Sequence, residues 1–182
     1  MSLELPGHAA PAVGFEAPLA MLSACHGRIE QQCNTLRRIA PYLATHGADA
    51  QVRDAAAAVM RYFDSAAVHH HADEERDLFP ALIESMAGSD AVCVRELTAN
   101  LVAEHRELEA HWRQVRSQLA PLAAGTAATL AADDVDVLVA LYERHIAREE
   151  AELLPLAARL LGEAEHDRIG RAMRERRGIP PV

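Results

Sequence analysis

The chain has 182 residues, half of them apolar but only 4% aromatic, and a formal net charge of -9. That length suits one domain with a core of aliphatic side chains and requires no disulfide framework. The negative balance argues against nucleic acid as the main partner, because phosphate contacts need basic surface, and it fits a soluble cytoplasmic protein.

The basic residues are all arginine, and alanine is abundant; both point to a GC-rich bacterial source. Cys25, Cys33 and Cys93 are odd in number and lack C-x-x-C spacing, which implies reduced thiols. The opening stretch MSLELPGHAAPAVGF lacks the basic and apolar regions of a secretion signal. No apolar run approaches the length that crosses a membrane.

Residues 1–15 read as an extended arm. A first helix is expected from Glu16 to about Thr45, with Leu19, Leu22, Cys25, Ile29, Cys33, Leu36 and Ile39 recurring at helical spacing, and Pro41 is expected to end or kink it. After a turn with Asp49 as N-cap, a second helix runs to about Met86, with Pro80 disturbing its last turns. The stretch AGSD at 87–90 breaks the chain and offers Ser89 or Asp90 as a cap. A third helix follows to about Leu119. After the loop PLAAGTAATLAADD, a fourth runs from Asp133 or Asp134 to about Leu161, ended by Gly162. Residues 163–182 form a short arginine-rich helix and a tail. The expected fold is all-α: an up-down-up-down four-helix bundle over 16–162 with a short C-terminal helix.

Each long helix carries a histidine followed four residues later by glutamate: His26/Glu30, His70/Glu74, His105/Glu109 and His145/Glu149. Residues i and i+4 share a helix face, so each pair aims an imidazole and a carboxylate the same way. The run HHH at 69–71 leaves the register of the second helix open. HHADEERDLFP and HIAREEAELLP align when His70 sits on His145, Glu74 on Glu149 and Pro80 on Pro155. This internal match turns His70 inward. His69 and His71, about 100° to either side, then fall on the flanks or rim, and replacing His71 should leave metal binding unchanged.

The helical rise supports a common level. Measured from the turn near 47, His26 and His70 lie about 28 and 31 Å up the bundle; from the turn near 88, His70 and His105 lie about 24 and 22 Å away. Imidazoles and carboxylates gathered inside a bundle need cations to offset their burial. This donor set suits iron, manganese or zinc. Two bridging carboxylates and four terminal histidines give each ion four protein bonds. An oxo or hydroxo bridge adds a fifth and leaves one position open to O2, peroxide, NO or water. The Glu-x-x-His motif of ferritin-like bundles is absent from the four long helices and occurs only at Glu163/His166 in the short C-terminal segment.

The segments ACHGRIE, HHADEERDLFP, AEHRELE and HIAREEAELLP, in this order, resemble the hemerythrin-like (HHE cation-binding) family from about Phe15 to Leu161. The resemblance implies a non-haem diiron centre. On it, His26, His70, His105 and His145 are terminal ligands, and Glu74 and Glu149 are the bridging carboxylates. Glu30 and Glu109 are additions from spacing alone, read either as participants in the centre or as solvated charges paired with arginines. Oxygen-carrying hemerythrins carry His-x-x-x-His on the third helix and His-x-x-x-x-Asp on the fourth. Here Glu109 and Glu149 stand instead, and His111 is off register. That departure shifts the expectation from reversible O2 carriage toward O2 or peroxide reaction, NO response or iron sensing. The chain is thus read as a binding or sensing module rather than a dedicated enzyme. A peroxidase-like, oxidase-like or NO-reducing diiron enzyme is the alternative, with iron handling a third. The arginines from Arg168 to Arg177 read as solvated surface or as a dock for an acidic partner.

Overall fold

The computed structural model describes residues 14–86 and 90–180. Most of the expected N-terminal arm, the break at 87–89 with its Ser89 cap, and the last two residues of the tail lie outside them. Five helices make up the described chain. Helix α1 is Pro18–His46 and α3 is Asp90–Ala123. Helix α2 spans 50–85 as α-helical Ala50–Tyr62, a π turn Phe63–Ala67, α-helical Val68–Asp73, a second π turn Glu74–Leu78 and α-helical Phe79–Ser85. Helix α4 spans 132–160 as Ala132–Arg148, a π turn Glu149–Leu153 and Leu154–Leu160. Helix α5 is Glu163–Arg176. Helices α1 to α4 pack in a ring, each on the next and α4 back on α1, and there is no strand among the described residues.

Pro41 does not end α1, the first of the two outcomes expected of it. The helix continues five residues to His46. Pro41 is exposed, so the carbonyl that its missing N–H leaves open faces solvent, while Ile39 and Leu43 stay buried on the core side. Gly47 then closes the helix with φ 71°, a conformation that favours glycine, and its N–H bonds Leu43 O at 2.9 Å. Asp49 caps α2, accepting from the Val52 N–H at 3.0 Å. Pro121 likewise falls inside α3, which outlasts its expected end at Leu119. Gly162 does not act as a left-handed cap. Its backbone is extended, and its N–H bonds Glu165 Oε2 at 3.0 Å at the start of α5.

The two matched segments share a backbone device. Each begins a π turn at its first glutamate, and the Glu74 and Glu149 carbonyls accept from the N–H groups of Phe79 and Leu154, five residues on. Pro80 and Pro155 follow directly. Proline offers no N–H for an α-type bond, and the wide turn ahead of it accommodates the loss.

Two apolar cores fill the bundle. One joins Ile29, Leu36, Val59, Phe63, Leu108, Trp112, Leu138 and Tyr142. The other joins Leu22, Leu78, Leu82, Leu101, Leu153, Ile169 and Met173. Helix α5 therefore closes the second core. It lies so near the chain before α1 that a Cβ on Gly170 would sit 2.0 Å from Phe15 O.

Candidate metal centre

Four buried histidines and two buried glutamates come together inside the bundle: His26 from α1, His70 and Glu74 from α2, His105 from α3, and His145 and Glu149 from α4. They form two groups, His26–His70–Glu74–Glu149 and Glu74–His105–His145–Glu149, each with ligand atoms within 4.8 Å of one another. The groups share both carboxylates. His26 Nε2 and His70 Nε2 are 3.1 Å apart, and His105 Nε2 and His145 Nε2 are 3.2 Å apart.

Each carboxylate divides its oxygens between the two histidine pairs. Glu149 Oε2 lies 3.0 Å from His26 Nε2, and its Oε1 lies 3.1 Å from His145 Nε2. Glu74 Oε1 lies 3.5 Å from His70 Nε2, and its Oε2 lies 3.4 Å from His105 Nε2. All four carboxylate oxygens are buried without a hydrogen-bond partner. Buried carboxylates left in that condition are costly unless a cation compensates them. A pair of nitrogen- and oxygen-seeking metal ions fits this donor set.

Three more carboxylates grip the outer nitrogens of the histidines. His26 donates from Nδ1 to Glu150 Oε1 at 2.6 Å, His105 from Nδ1 to Glu75 Oε1 at 2.7 Å, and His145 from Nδ1 to Glu104 Oε2 at 2.8 Å. Arg106 holds Glu75 and Arg148 holds Glu104, each at 2.5 Å. An Nδ1–H committed to a carboxylate leaves the Nε2 lone pair of a neutral imidazole facing the centre. Sequence reasoning missed these three residues. A signal existed for two of them: the matched segments carry a glutamate doublet, and its second member reaches the neighbouring helix. Glu104 had no such mark.

Electrostatics follow from this crowding. Burial alone would lower His26, but the carboxylates of Glu149 and Glu150 outweigh it and push the imidazole up to about 9. Burial is likewise outweighed at His105, where Glu149, Glu74 and Glu75 push it up to about 10, and His145 is raised by Glu149 and Glu104. His70, with no carboxylate on its Nδ1, is lowered by burial and by the charge of His26. Burial and the charge of Glu149 push Glu74 up to about 7. Glu149 is held well below its usual range, because three imidazoles outweigh its burial.

Glu30 and Glu109 stand outside the two groups. Glu30 is exposed, and Glu109 pairs with Arg106 at 2.7 Å. His71 corrects the sequence reading. It is not a rim residue but only 7% exposed, stacked on His105 with centroids 4.0 Å apart. A helix in a four-membered ring is covered on two sides. His70 therefore faces α1 while His71, one residue on, faces α3. His69 is half-buried. The C-terminal arginines are also less exposed than expected: Arg176 and Arg177 bind the buried Asp73.

A cavity of about 390 Å3 opens beside His71. Phe63, Trp112 and Tyr142 form an apolar side, and Arg76, Arg106 and Arg113 a charged one. No helix among the described residues is long and apolar enough to cross a membrane.

Residues 17–157 match the model of the hemerythrin HHE cation-binding domain. The chain is also 31% identical over 136 residues to an uncharacterized protein of Haemophilus influenzae, an alignment covering 75% of this chain and 76% of that protein.

Proposed function

The chain belongs to the hemerythrin HHE cation-binding family, and from that premise we propose that it holds a pair of iron ions and binds or senses O2 or a related small molecule such as peroxide or NO. In this reading Glu74 and Glu149 bridge the ions. His26 and His70 complete one side, and His105 and His145 the other. The observation that carries it is the division of each buried carboxylate between the two histidine pairs. A structural network of histidine–glutamate pairs would satisfy those oxygens with well-formed hydrogen bonds, whereas here imidazole Nε2 atoms approach them at 3.0–3.5 Å without forming one.

The iron pair would supply redox-active positions at which a small molecule can bind. The protein's part is to position and to exclude. Glu75, Glu104 and Glu150 fix the tautomers of His105, His145 and His26. The apolar cores keep bulk water away from the centre, and the cavity lies beside it, lined by His71 and by Glu75, which holds His105.

That cavity also favours a second reading. Its volume exceeds what a diatomic molecule needs and falls in the range of organic ligand sites. A diiron enzyme with peroxidase-like, oxidase-like or NO-reducing turnover would use such a space.

The test is metal analysis with the visible spectrum of protein produced in iron-replete medium. About two irons per chain with near-ultraviolet absorption of a bridged diferric pair is the expected result. No metal, or a single zinc, overturns it. Reversible spectral change with O2 separates binding from the sustained consumption of peroxide or NO expected of an enzyme.

A further inference from the structure

The chain is poor in aromatic side chains, with one tryptophan, three tyrosines and three phenylalanines. Three of them meet at the cavity of about 390 Å3, none of whose lining residues belongs to the six of the metal centre. The rings of Trp112 and Tyr142 stand 4.7 and 5.4 Å from that of Phe63, between centroids. The Trp112 N–H is spent on Asp64 Oδ1 at 3.0 Å, so this wall presents ring carbon rather than a free donor. Such a surface binds an apolar, ring-sized body. The rest of the lining is charged. Arg106 is spent on Glu75 at 2.5 Å and on Glu109 at 2.7 Å. Arg76 and Arg113 are exposed and have no ion-pair partner among the described residues. Three arginines against two glutamates leave the lining one positive charge in excess, in a chain whose net charge is -9. His71 completes the wall. It is 7% exposed and makes no hydrogen bond among the described residues, and only its Nε2 is sealed from solvent, so Nδ1 stays within reach of a molecule in the cavity. Buried imidazoles ordinarily spend their nitrogens on hydrogen bonds, and this one points to a partner that the chain does not supply.

We propose that this cavity binds a small organic monocarboxylate with an aromatic or compact apolar body. The body lies against Phe63, Trp112 and Tyr142, the carboxylate meets Arg76 and Arg113, and His71 donates a hydrogen bond. Guanidinium groups match a carboxylate in geometry as well as in charge. The excess of one positive charge selects among anions: it matches a monoanion, whereas the second charge of a phosphate ester would face Glu75 and Glu109 uncompensated. The volume lies at the small end of organic-ligand sites, which suits one or two rings. This site does not depend on the metal pair.

The test uses the full chain as purified, with 3-phenylpropionate as the probe and Trp112, the only tryptophan, as the reporter. Calorimetry runs beside the fluorescence titration, so that a silent tryptophan does not hide binding. The expected result is saturable one-site binding with a Kd of about 0.1 mM or tighter. The alcohol 3-phenylpropanol has the body without the charge, acetate has the charge without the body, and phenyl phosphate has a second charge. Each should bind at least about tenfold more weakly than the acid. Arg76→Met and Arg113→Met change exposed side chains and should leave the fold intact. Each should weaken the acid about tenfold and leave the alcohol unchanged. The proposal is overturned by absence of saturable binding, by equal affinity for acid and alcohol, or by an affinity for the acid that neither arginine variant alters. Tighter binding of phenyl phosphate would overturn the monoanion assignment. Displacement of the acid by an equal concentration of acetate would place the carboxylate on a metal ion, outside this cavity, and overturn the proposal as well. Metal content is measured on the same samples: a chain without metal that still binds the acid loses the metal-pair reading and keeps this one.

Discussion

Asp73 and Arg177, 104 residues apart in the chain, meet at 2.6 Å between Asp73 Oδ2 and Arg177 Nη2. Asp73 is fully buried and immediately precedes Glu74. Arg176 binds the same carboxylate and reaches Asp77 at 2.5 Å. The C-terminal end of helix α5, with Arg177 just past it, thus grips both ends of the π turn that carries Glu74. This grip lies beyond the part of the chain that matches the family model, which ends at residue 157.

Removing the grip should cost stability and loosen the metal. Replacing both Arg176 and Arg177 by alanine leaves the Asp73 carboxylate buried without a partner, and breaking a buried pair from one side typically costs about 3–5 kcal/mol. The expected outcome is a lower melting temperature and faster loss of metal to a chelator. A variant with Asp73 also neutralised, Asp73→Asn on the same background, should recover part of the loss, because no unpaired charge remains. An unchanged chelation rate would show that α5 only covers the core.

Glu74→Gln should separate stability from metal binding. In the metal-free chain, burial and Glu149 push Glu74 up to about 7 from an ordinary value of 4.5. Its stabilising contribution is therefore full below the ordinary value and lost as pH rises through about 7. Above that pH the ionised carboxylate costs a few kcal/mol, since each tenfold change in proton affinity corresponds to about 1.4 kcal/mol. The neutral amide avoids the cost. Thermal melts above pH 7 should show metal-free Glu74→Gln at least as stable as the parent, while its metal content falls well below that of the parent chain. A less stable metal-free variant would mean that the carboxylate serves the fold itself.

The outer carboxylates should tune affinity without setting stoichiometry. Changes of this kind around metal sites typically lower affinity about 10–100-fold. Glu104→Ala and Glu75→Ala should fall in that range, because Glu104 and Glu75 are 13% and 20% exposed and held by Arg148 and Arg106. Glu150, 40% exposed, should matter less, since water screens it. Glu30→Ala, on the exposed face of α1, should change nothing. Competition titrations against a chelator of known affinity would rank the four.

How far the sequence revealed this site depends on how local each signal is. The pairs His70/Glu74 and His145/Glu149 needed only helical spacing and a comparison of two segments of the same chain. The common level of the four histidines needed only helix rise and turn positions. Glu75 and Glu150 were visible as doublet partners, but their targets lie on other helices, and spacing along one helix does not say which neighbour a side chain reaches. His71 was misjudged because one inward face was assumed for a helix that has two packed neighbours. Pro41 did not end its helix because a proline on the solvent side opens a carbonyl that water can satisfy. The two π turns that begin at Glu74 and Glu149 had a mark in the sequence, Glu-Glu-x-x-Leu-x-Pro, whose meaning became legible only in the backbone; the one at Phe63–Ala67 had none.

Metal uptake should release protons, and affinity should rise with pH. In the metal-free fold His26 stands at about 9 and His105 at about 10, both raised by carboxylates that outweigh the effect of burial. Raised imidazoles stabilise the metal-free chain fully below their ordinary value of 6.5, and that contribution is lost as pH climbs through about 9 and 10. His70 and His71 are lowered, so they act in the opposite sense and cost stability as pH falls through 6.5. Metal ligands must be deprotonated to bind. At pH 7 the centre should therefore expel one proton each from His26 and His105 as it fills, with a further fraction from Glu74. Calorimetric titration of the metal-free chain in buffers of different ionisation enthalpy counts these protons directly. The count should fall, and the apparent affinity rise, as pH is taken from 7 toward 9. A count near zero at pH 7 would mean that the imidazoles are already neutral and that the carboxylates around them are compensated by something other than protons.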